Sequence, residues 1–265
     1  MGEVSELREA CAEAARRGGA VLRERWGQVR TIAFKGGIDL VTDADHASEA
    51  ALLAFLRERF PAAAVLAEES GASGAGASGL RFWVDPLDGT TNYAHGVPHF
   101  AVNVAVADDR GLAAGATYDP LRDELFTAGR GEGATLGAER LAHSARSQLE
   151  GALLVTGFPY DVHERPEYPL ALFGAFIRKA RAVRRFGSAA LDLAYVAAGR
   201  FDGFWELGLK PWDVAPGILI AREAGARVTD MWGGDTALET GDIVACSPWL
   251  HRPILDVIAS VPRPR

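Results

Sequence analysis

Trp83-Val84-Asp85-Pro86-Leu87-Asp88-Gly89-Thr90-Thr91-Asn92 decides how this chain is read. Two carboxylates stand three residues apart, split by a proline and followed at once by a glycine and two threonines. A largely apolar run, Leu80 to Val84, leads into them. That order predicts a strand that ends in carboxylates and turns into a helix start. Carboxylates gather hard cations such as Mg²⁺, and the free N–H groups of a helix start gather phosphate. Pro86 stiffens the turn, so Asp85, Asp88 and the Leu87 carbonyl can point one way.

Outward from this stretch, helices and strands interleave. From Ser5, a helix carries Leu7, Cys11, Ala14, Ala15, Val21, Leu22 and Trp26 on one face. Thr42 reads as an N-cap with Asp45 three residues on, opening a second helix with Ala51, Leu52, Phe55 and Leu56 as its apolar stripe. Ala62 to Ala67 predicts a strand, and the Gly/Ala/Ser run from Gly71 to Gly79 a surface loop. Short strands then follow at Phe100 to Ala107, Leu112 to Tyr118 and Glu124 to Ala128, with a turn and strand before Leu141. Past Ser147 come strands at Ala152 to Thr156, Phe201 to Glu206, Arg227 to Thr229 and Ile243 to Cys246. Between and after them lie helices at Tyr168 to Ala180, Ala189 to Ala198, Val214 to Ala224 and Pro253 to Ala259. Residues 1–265 are expected to form one unit of two αβ halves, about 1–147 and 148–265.

The 265 residues suffice for a large core, and 24% charged residues is ordinary for a globular chain. A net charge of -7 speaks against a nucleic-acid surface. The two cysteines, Cys11 and Cys246, form no CxxC pair and sit among apolar neighbours, which suits a reducing cytoplasm and buried thiols. Met1 to Glu9 has no signal-peptide core, and no apolar run reaches membrane-span length. The six histidines are expected in surface or packing roles.

Three further pieces stand beside the opening stretch. Glu68-Glu69-Ser70 ends a predicted strand. Trp212-Asp213 opens a predicted helix. Lys35-Gly36-Gly37, followed by Asp39, Asp43 and Asp45, reads as a flexible basic loop next to acids. Taken together, from about residue 5 to 260, these motifs resemble the inositol monophosphatase family of Mg²⁺-dependent, lithium-sensitive phosphatases. The first motif runs from Trp83 to Asn92 and the second from Trp212 to Gly225. Glu68-Glu69-Ser70, Lys35 and Asp39-Leu40-Val41-Thr42 also fall where that family has equivalents.

The resemblance implies a mixed α+β fold, a layered αβαβα sandwich with the site between its halves, and a homodimer. It implies Glu68, Asp85 and the Leu87 carbonyl as ligands of a first ion, and Asp85, Asp88 and Asp213 as ligands of a second. Two to three Mg²⁺ ions are expected, with Mn²⁺ as a substitute and Li⁺ and Ca²⁺ as inhibitors. It implies that Asp45 and Thr90 handle the attacking water, with Glu68 beside them. Gly89, Thr90 and Thr91 would receive phosphate near Lys35. Gly187, Ser188, Ala189, Glu206 and Asp213 would face the alcohol. Cations suit the chemistry, because they offset the repulsion between a phosphate dianion and an incoming nucleophile.

Gly89-Thr90-Thr91-Asn92 resembles the inositol and fructose branch, so inositol 1-phosphate is the expected substrate. Fructose 1,6-bisphosphate and histidinol phosphate are the alternatives, and Arg184 and Arg185 are candidates for holding a second phosphate. Pro216 stands where relatives carry a small residue. Read as lying in the first turn of its helix, it should do Asp213 little harm. Some bacterial relatives also bind the transcription machinery, so a partly non-catalytic binding role is the second reading. Neither a nucleic acid nor a membrane is an expected partner.

Overall fold

The computed structural model describes residues 2–28, 32–36 and 39–263, with the side chains of 32–36, 39 and 40 outside the description. Along the chain, α1 (Glu3–Arg25), β1 (Ile32–Gly36), β2 (Asp39–Thr42) and α2 (Asp43–Arg59) come first. β3 (Ala64–Ala67), β4 (Gly71–Ser73), β5 (Arg81–Asp88) and α3 (Thr90–Ala94) follow. β6 (Ala101–Asp108), β7 (Gly111–Asp119), β8 (Glu124–Gly129), β9 (Gly133–Leu136) and β10 (Glu139–Arg140) form the meander. Then come β11 (Leu153–Thr156), α4 (Glu167–Ile177), β12 (Ala182–Arg184), α5 (Ala189–Ala197), β13 (Gly203–Glu206), α6 (Pro211–Glu223) and β14 (Arg227–Thr229). The chain closes with α7 (Ala237–Thr240), β15 (Ile243–Cys246) and α8 (Pro248–Ala259).

An eight-stranded sheet has the order β10-β9-β8-β7-β6-β5-β3-β4, and a five-stranded sheet the order β12-β11-β13-β15-β14. In the larger sheet only β3 and β5 run parallel; in the smaller one β11 is parallel to both β12 and β13. Helices α1 and α2 cover one face of the large sheet through Leu7, Cys11, Leu22, Leu52 and Leu56. Helices α5 and α6 fill the space between the sheets, with Leu191, Leu193, Val214 and Ile218 at its centre. Helices α4 and α8 close the far face of the small sheet through Leu172, Phe176, Leu250 and Ile254. The layers are therefore αβαβα, as expected.

Why the middle layer is tight shows in two close approaches. Seen from Gly115 on β7, an added Cβ would stand 3.0 Å from Pro216 Cα, so α6 rests its backbone on the large sheet. At Gly217 it would meet the Leu193 side chain, which brings α5 against α6. A residue larger than glycine would force these layers apart.

Several expected elements need correction. Lys35-Gly36-Gly37, read as a flexible loop, begins in β1 of a β1–β2 hairpin as far as its described residues go; Gly37 and the Lys35 side chain lie outside the description. The Gly71 to Gly79 run is not wholly loop, because its first residues pair with β3 as β4. Backbone pairing needs no side chains, so composition alone hid it. Helix α6 starts at Pro211 rather than Val214, and α8 at Pro248 rather than Pro253. In each, an earlier proline occupies the first helical position, and a second proline lies five residues inside. Pro216 is thus in the second turn of α6, not the first, and it removes a helical hydrogen bond there.

Candidate active site

Four chain segments meet at the carboxyl end of β5. The β3–β5 pairing aligns Ala67 with Val84, and the Glu68 N–H continues it by donating to the Val84 carbonyl at 3.1 Å. Glu68 therefore stands beside Asp85. Register between β5 and β6 breaks between Asp85 and Asp88, where Pro86 cannot donate to the ladder. The Leu87 N–H donates to Asp85 Oδ1 at 2.9 Å, and the Ser48 hydroxyl donates to the Pro86 carbonyl at 2.8 Å. These bonds fix the turn that separates the two acids.

Asp88 is gripped from α5. The N-cap Ser188 hydroxyl donates to Asp88 Oδ2 at 2.5 Å, and the Ala190 N–H donates to the same oxygen at 2.8 Å. Asp213 lies in the first turn of α6, where its Oδ2 accepts from the Lys210 N–H at 2.7 Å. A carboxylate in a first turn suits both the unpaired N–H groups and the helix dipole.

These acids share one electrostatic field. Burial first, then repulsion from Glu68, Asp88 and Asp213, raises Asp85 well above the ordinary carboxylate range, and Glu68 and Asp85 share a hydrogen bond. Burial pushes Asp88 up to about 6, against the lowering effect of its Ser188 and Ala190 bonds. Asp213 is also raised, by burial and then by Asp88, Glu68 and Glu206. Like charges held close favour protonation of some members or capture of a cation. The donors are all hard oxygens, which match Mg²⁺ or Mn²⁺ rather than a thiolate-seeking metal. Among the described residues no three acidic, histidine or cysteine side chains are gathered closely enough to hold a metal ion as they stand, so a cation would have to draw these acids together.

Beside them, Asp45 is fully buried at the start of α2. Its Oδ2 accepts from the Thr42 N–H at 2.8 Å and hydroxyl at 2.6 Å. The Thr90 hydroxyl lies 3.1 Å from Asp45 Oδ1 and 2.9 Å from the Leu87 carbonyl, so Asp45, Thr90 and Leu87 are joined. Gly89 has φ of 91°, and a Cβ there would come within 3.1 Å of the His99 carbonyl. Only glycine turns the chain this way, so that the Gly89 and Thr90 N–H groups open the short helix α3.

A pocket opens from these groups. Asp88, Gly89, Thr90, Thr91 and Asp213 line it together with Gly187, Ser188, Ala189 and Glu206. Glu68 and Asp85 are not in its lining but couple to the acids that are. The acids, Leu87, the Gly89 to Thr91 turn, the Gly187 to Ala189 segment and Glu206 are thus in or next to this pocket. Of the arginine pair, Arg185 lines the pocket, whereas Arg184 ends β12 and is exposed. The histidines stay outside the lining, although His99 is buried against Phe186 and Tyr195.

Glu206, at the end of β13, is buried and raised to about 8 by burial, with Arg185 pulling the other way. A Cβ on Gly157 would overlap its carboxyl. Gly157→Ala should therefore displace Glu206 and raise KM about tenfold for an alcohol that hydrogen-bonds it, while kcat changes less. Steady-state kinetics would show this, and an unchanged KM would remove Glu206 from substrate contact. Sequence reasoning missed Gly157, Asn103 and Asp192. Asp192 is buried on α5 and both its carboxyl oxygens lack partners, with Glu206 and Asp88 raising it after burial. A lone acid in an otherwise apolar helix was the available signal.

Comparison with known proteins places this geometry. The inositol monophosphatase family model matches residues 3–261. Nus factor SuhB of Pseudomonas aeruginosa is 47% identical over 231 residues, 84% of each chain. Extragenic suppressor protein suhB of Bartonella henselae has a TM-score of 0.90 at 40% identity, covering 94% of this chain and 97% of that one. Inositol monophosphatase from Anabaena (Nostoc) has a TM-score of 0.90 at 40% identity, covering 98% of both chains.

Proposed function

Because this chain belongs to the inositol monophosphatase family, we propose that it hydrolyses a small phosphate monoester with Mg²⁺, most simply inositol 1-phosphate to inositol and phosphate. The observation that carries this reading is the convergence of Glu68, Asp85, Asp88 and Asp213 on one field beside Thr90 and Glu206. Glu68, Asp85, the Leu87 carbonyl, Asp88 and Asp213 would hold two to three Mg²⁺ ions, which supply charge neutralisation for the phosphate and acidify the attacking water. About 1–147 supplies most of that set and about 148–265 supplies Asp213, so the two halves act as one unit.

The chain's own groups do the rest. The Gly89 and Thr90 N–H groups receive phosphate oxygens at the start of α3. Asp45, locked by Thr42, holds the Thr90 hydroxyl in place. Thr90 Oγ1 can then take a proton from water while passing its own to Asp45 Oδ1. Glu206 accepts from alcohol hydroxyls across the pocket, and Gly187, Ser188 and Ala189 form the wall that orients the ring.

Phosphate release from inositol 1-phosphate, fructose 1,6-bisphosphate and histidinol phosphate, each with Mg²⁺, tests the assignment. The highest kcat/KM is expected for inositol 1-phosphate. Arg185 at the pocket wall favours some turnover of the bisphosphate. No turnover of any monoester would favour a second reading, a transcription-associated binding role, which the SuhB names of its relatives support.

A further inference from the structure

Proline at 216 leaves a gap in α6. In a helix the Trp212 carbonyl accepts from the N–H of residue 216, and proline has none. A carbonyl on the packed side of a helix needs another donor. Asn103, fully buried in β6, supplies it. Its Nδ2 donates to the Trp212 carbonyl at 3.3 Å and to the Asp213 carbonyl at 3.1 Å. Its Oδ1 accepts from the Thr117 hydroxyl at 2.7 Å, so the amide cannot turn over without losing that bond.

The placement of Asn103 gives this bond a use. Asn103 pairs directly with Asp85 in the β5–β6 ladder and with Thr117 in the β6–β7 ladder. Residues opposite one another in a ladder share a face of the sheet. The same face carries Gly115, whose missing side chain lets Pro216 settle on the sheet. The second inner proline, Pro253 in α8, removes the same bond from the Trp249 carbonyl, but Trp249 stands exposed and, among the described residues, no buried amide answers it. The buried amide thus occurs where the first turn of the helix carries Asp213.

We infer that Asn103 is a positioning residue: its amide replaces the hydrogen bond Pro216 removes and ties the turn bearing Asp213 to the strand position opposite Asp85. It touches neither substrate nor ion. It sets the separation of two acids that come from distant parts of the chain. The inference rests on the proposed role of Asp85 and Asp213 as cation ligands.

The test is a four-corner cycle read by Mn²⁺ binding in a calorimeter, using the whole protein without substrate: unsubstituted, Asn103→Leu, Pro216→Ala and both together. Leucine keeps the size of the amide and removes its bonds. Loss of a partner that orients a ligand weakens metal binding about 10–100-fold, so Asn103→Leu should weaken Mn²⁺ binding at least about tenfold. In the Pro216→Ala background, where residue 216 regains its N–H, the same exchange should cost less than about threefold. Should Asn103→Leu alone fail to fold, rescue of both folding and Mn²⁺ binding by Pro216→Ala supports the inference, and no rescue overturns it. Equal losses in the two backgrounds, or no loss in either, also overturn it. If the unsubstituted protein binds no Mn²⁺, the proposed function fails and the inference with it; if it binds and only the coupling is absent, the inference alone fails.

Discussion

Asp88→Asn is expected to lower Mg²⁺-dependent phosphate release by about a hundred- to a thousandfold, since removing even one preorganised electrostatic group from an active site costs about 10²–10³ in kcat. The exchange is nearly isosteric. The amide oxygen can still accept from Ser188 and Ala190, so α5 and the turn after β5 stay in place. What disappears is the negative charge that sits at the pocket between Asp85 and Asp213. That charge is costly without metal, so the metal-free variant should melt no lower than the metal-free parent, and somewhat higher at pH 8. Activity and stability would then move in opposite directions, as expected where acids are crowded for function. Initial-rate assays and melting curves on the same preparation decide this. A variant retaining a tenth of the parental rate would show that Asp88 is not part of the catalytic set.

Mg²⁺ should raise the melting temperature, and should raise it more at pH 8 than at pH 5. Asp88 is raised from 3.8 to about 6 and Glu206 from 4.5 to about 8, both chiefly by burial. Asp85 and Asp213 are raised by burial and then by neighbouring acids, Glu68 and Asp88 among them in both cases. A carboxyl raised on folding binds more protons folded than unfolded. Its stabilising contribution is full below the ordinary value and is lost as pH climbs through the folded value. For Asp88 that window is about 4 to 6, and for Glu206 about 4.5 to 8. The metal-free protein should accordingly lose stability through this cluster between pH 5 and pH 8. Cation binding removes the repulsion and competes with protons, so the gain grows with pH. At a Mg²⁺ concentration about 100 times Kd the gain is about 2.7 kcal/mol, or about 5–10 °C for a chain of this size. A melting temperature indifferent to Mg²⁺ at pH 8 would contradict the clustering of these acids.

Much of this site was legible because its acids fall in stretches whose local pattern is strong. Asp85 and Asp88 follow an apolar strand and precede Gly89, and Thr42 with Asp45 reads as a cap before an apolar stripe. The αβαβα layering came from motif resemblance as much as from periodicity, since no pattern in β3 or β5 announces their parallel pairing. Helix starts misread at Val214 and Pro253 had one cause: two prolines five residues apart, of which only the first could occupy the opening turn. The β1–β2 hairpin and β4 were hidden by glycines, whose backbone pairing leaves no side-chain signal. Asn103 was visible as a lone amide in Phe100-Ala101-Val102-Asn103-Val104-Ala105-Val106. Its partner carbonyls lie more than a hundred residues away, so only the folded chain shows what it holds.

The most direct test is a crystal grown with Mn²⁺ and measured at a wavelength where manganese scatters anomalously. The account predicts at least two anomalous peaks, the first contacted by Glu68, Asp85 and the Leu87 carbonyl and the second by Asp85, Asp88 and Asp213. A map with no peak among these residues, with their carboxylates turned to separate partners, would contradict it.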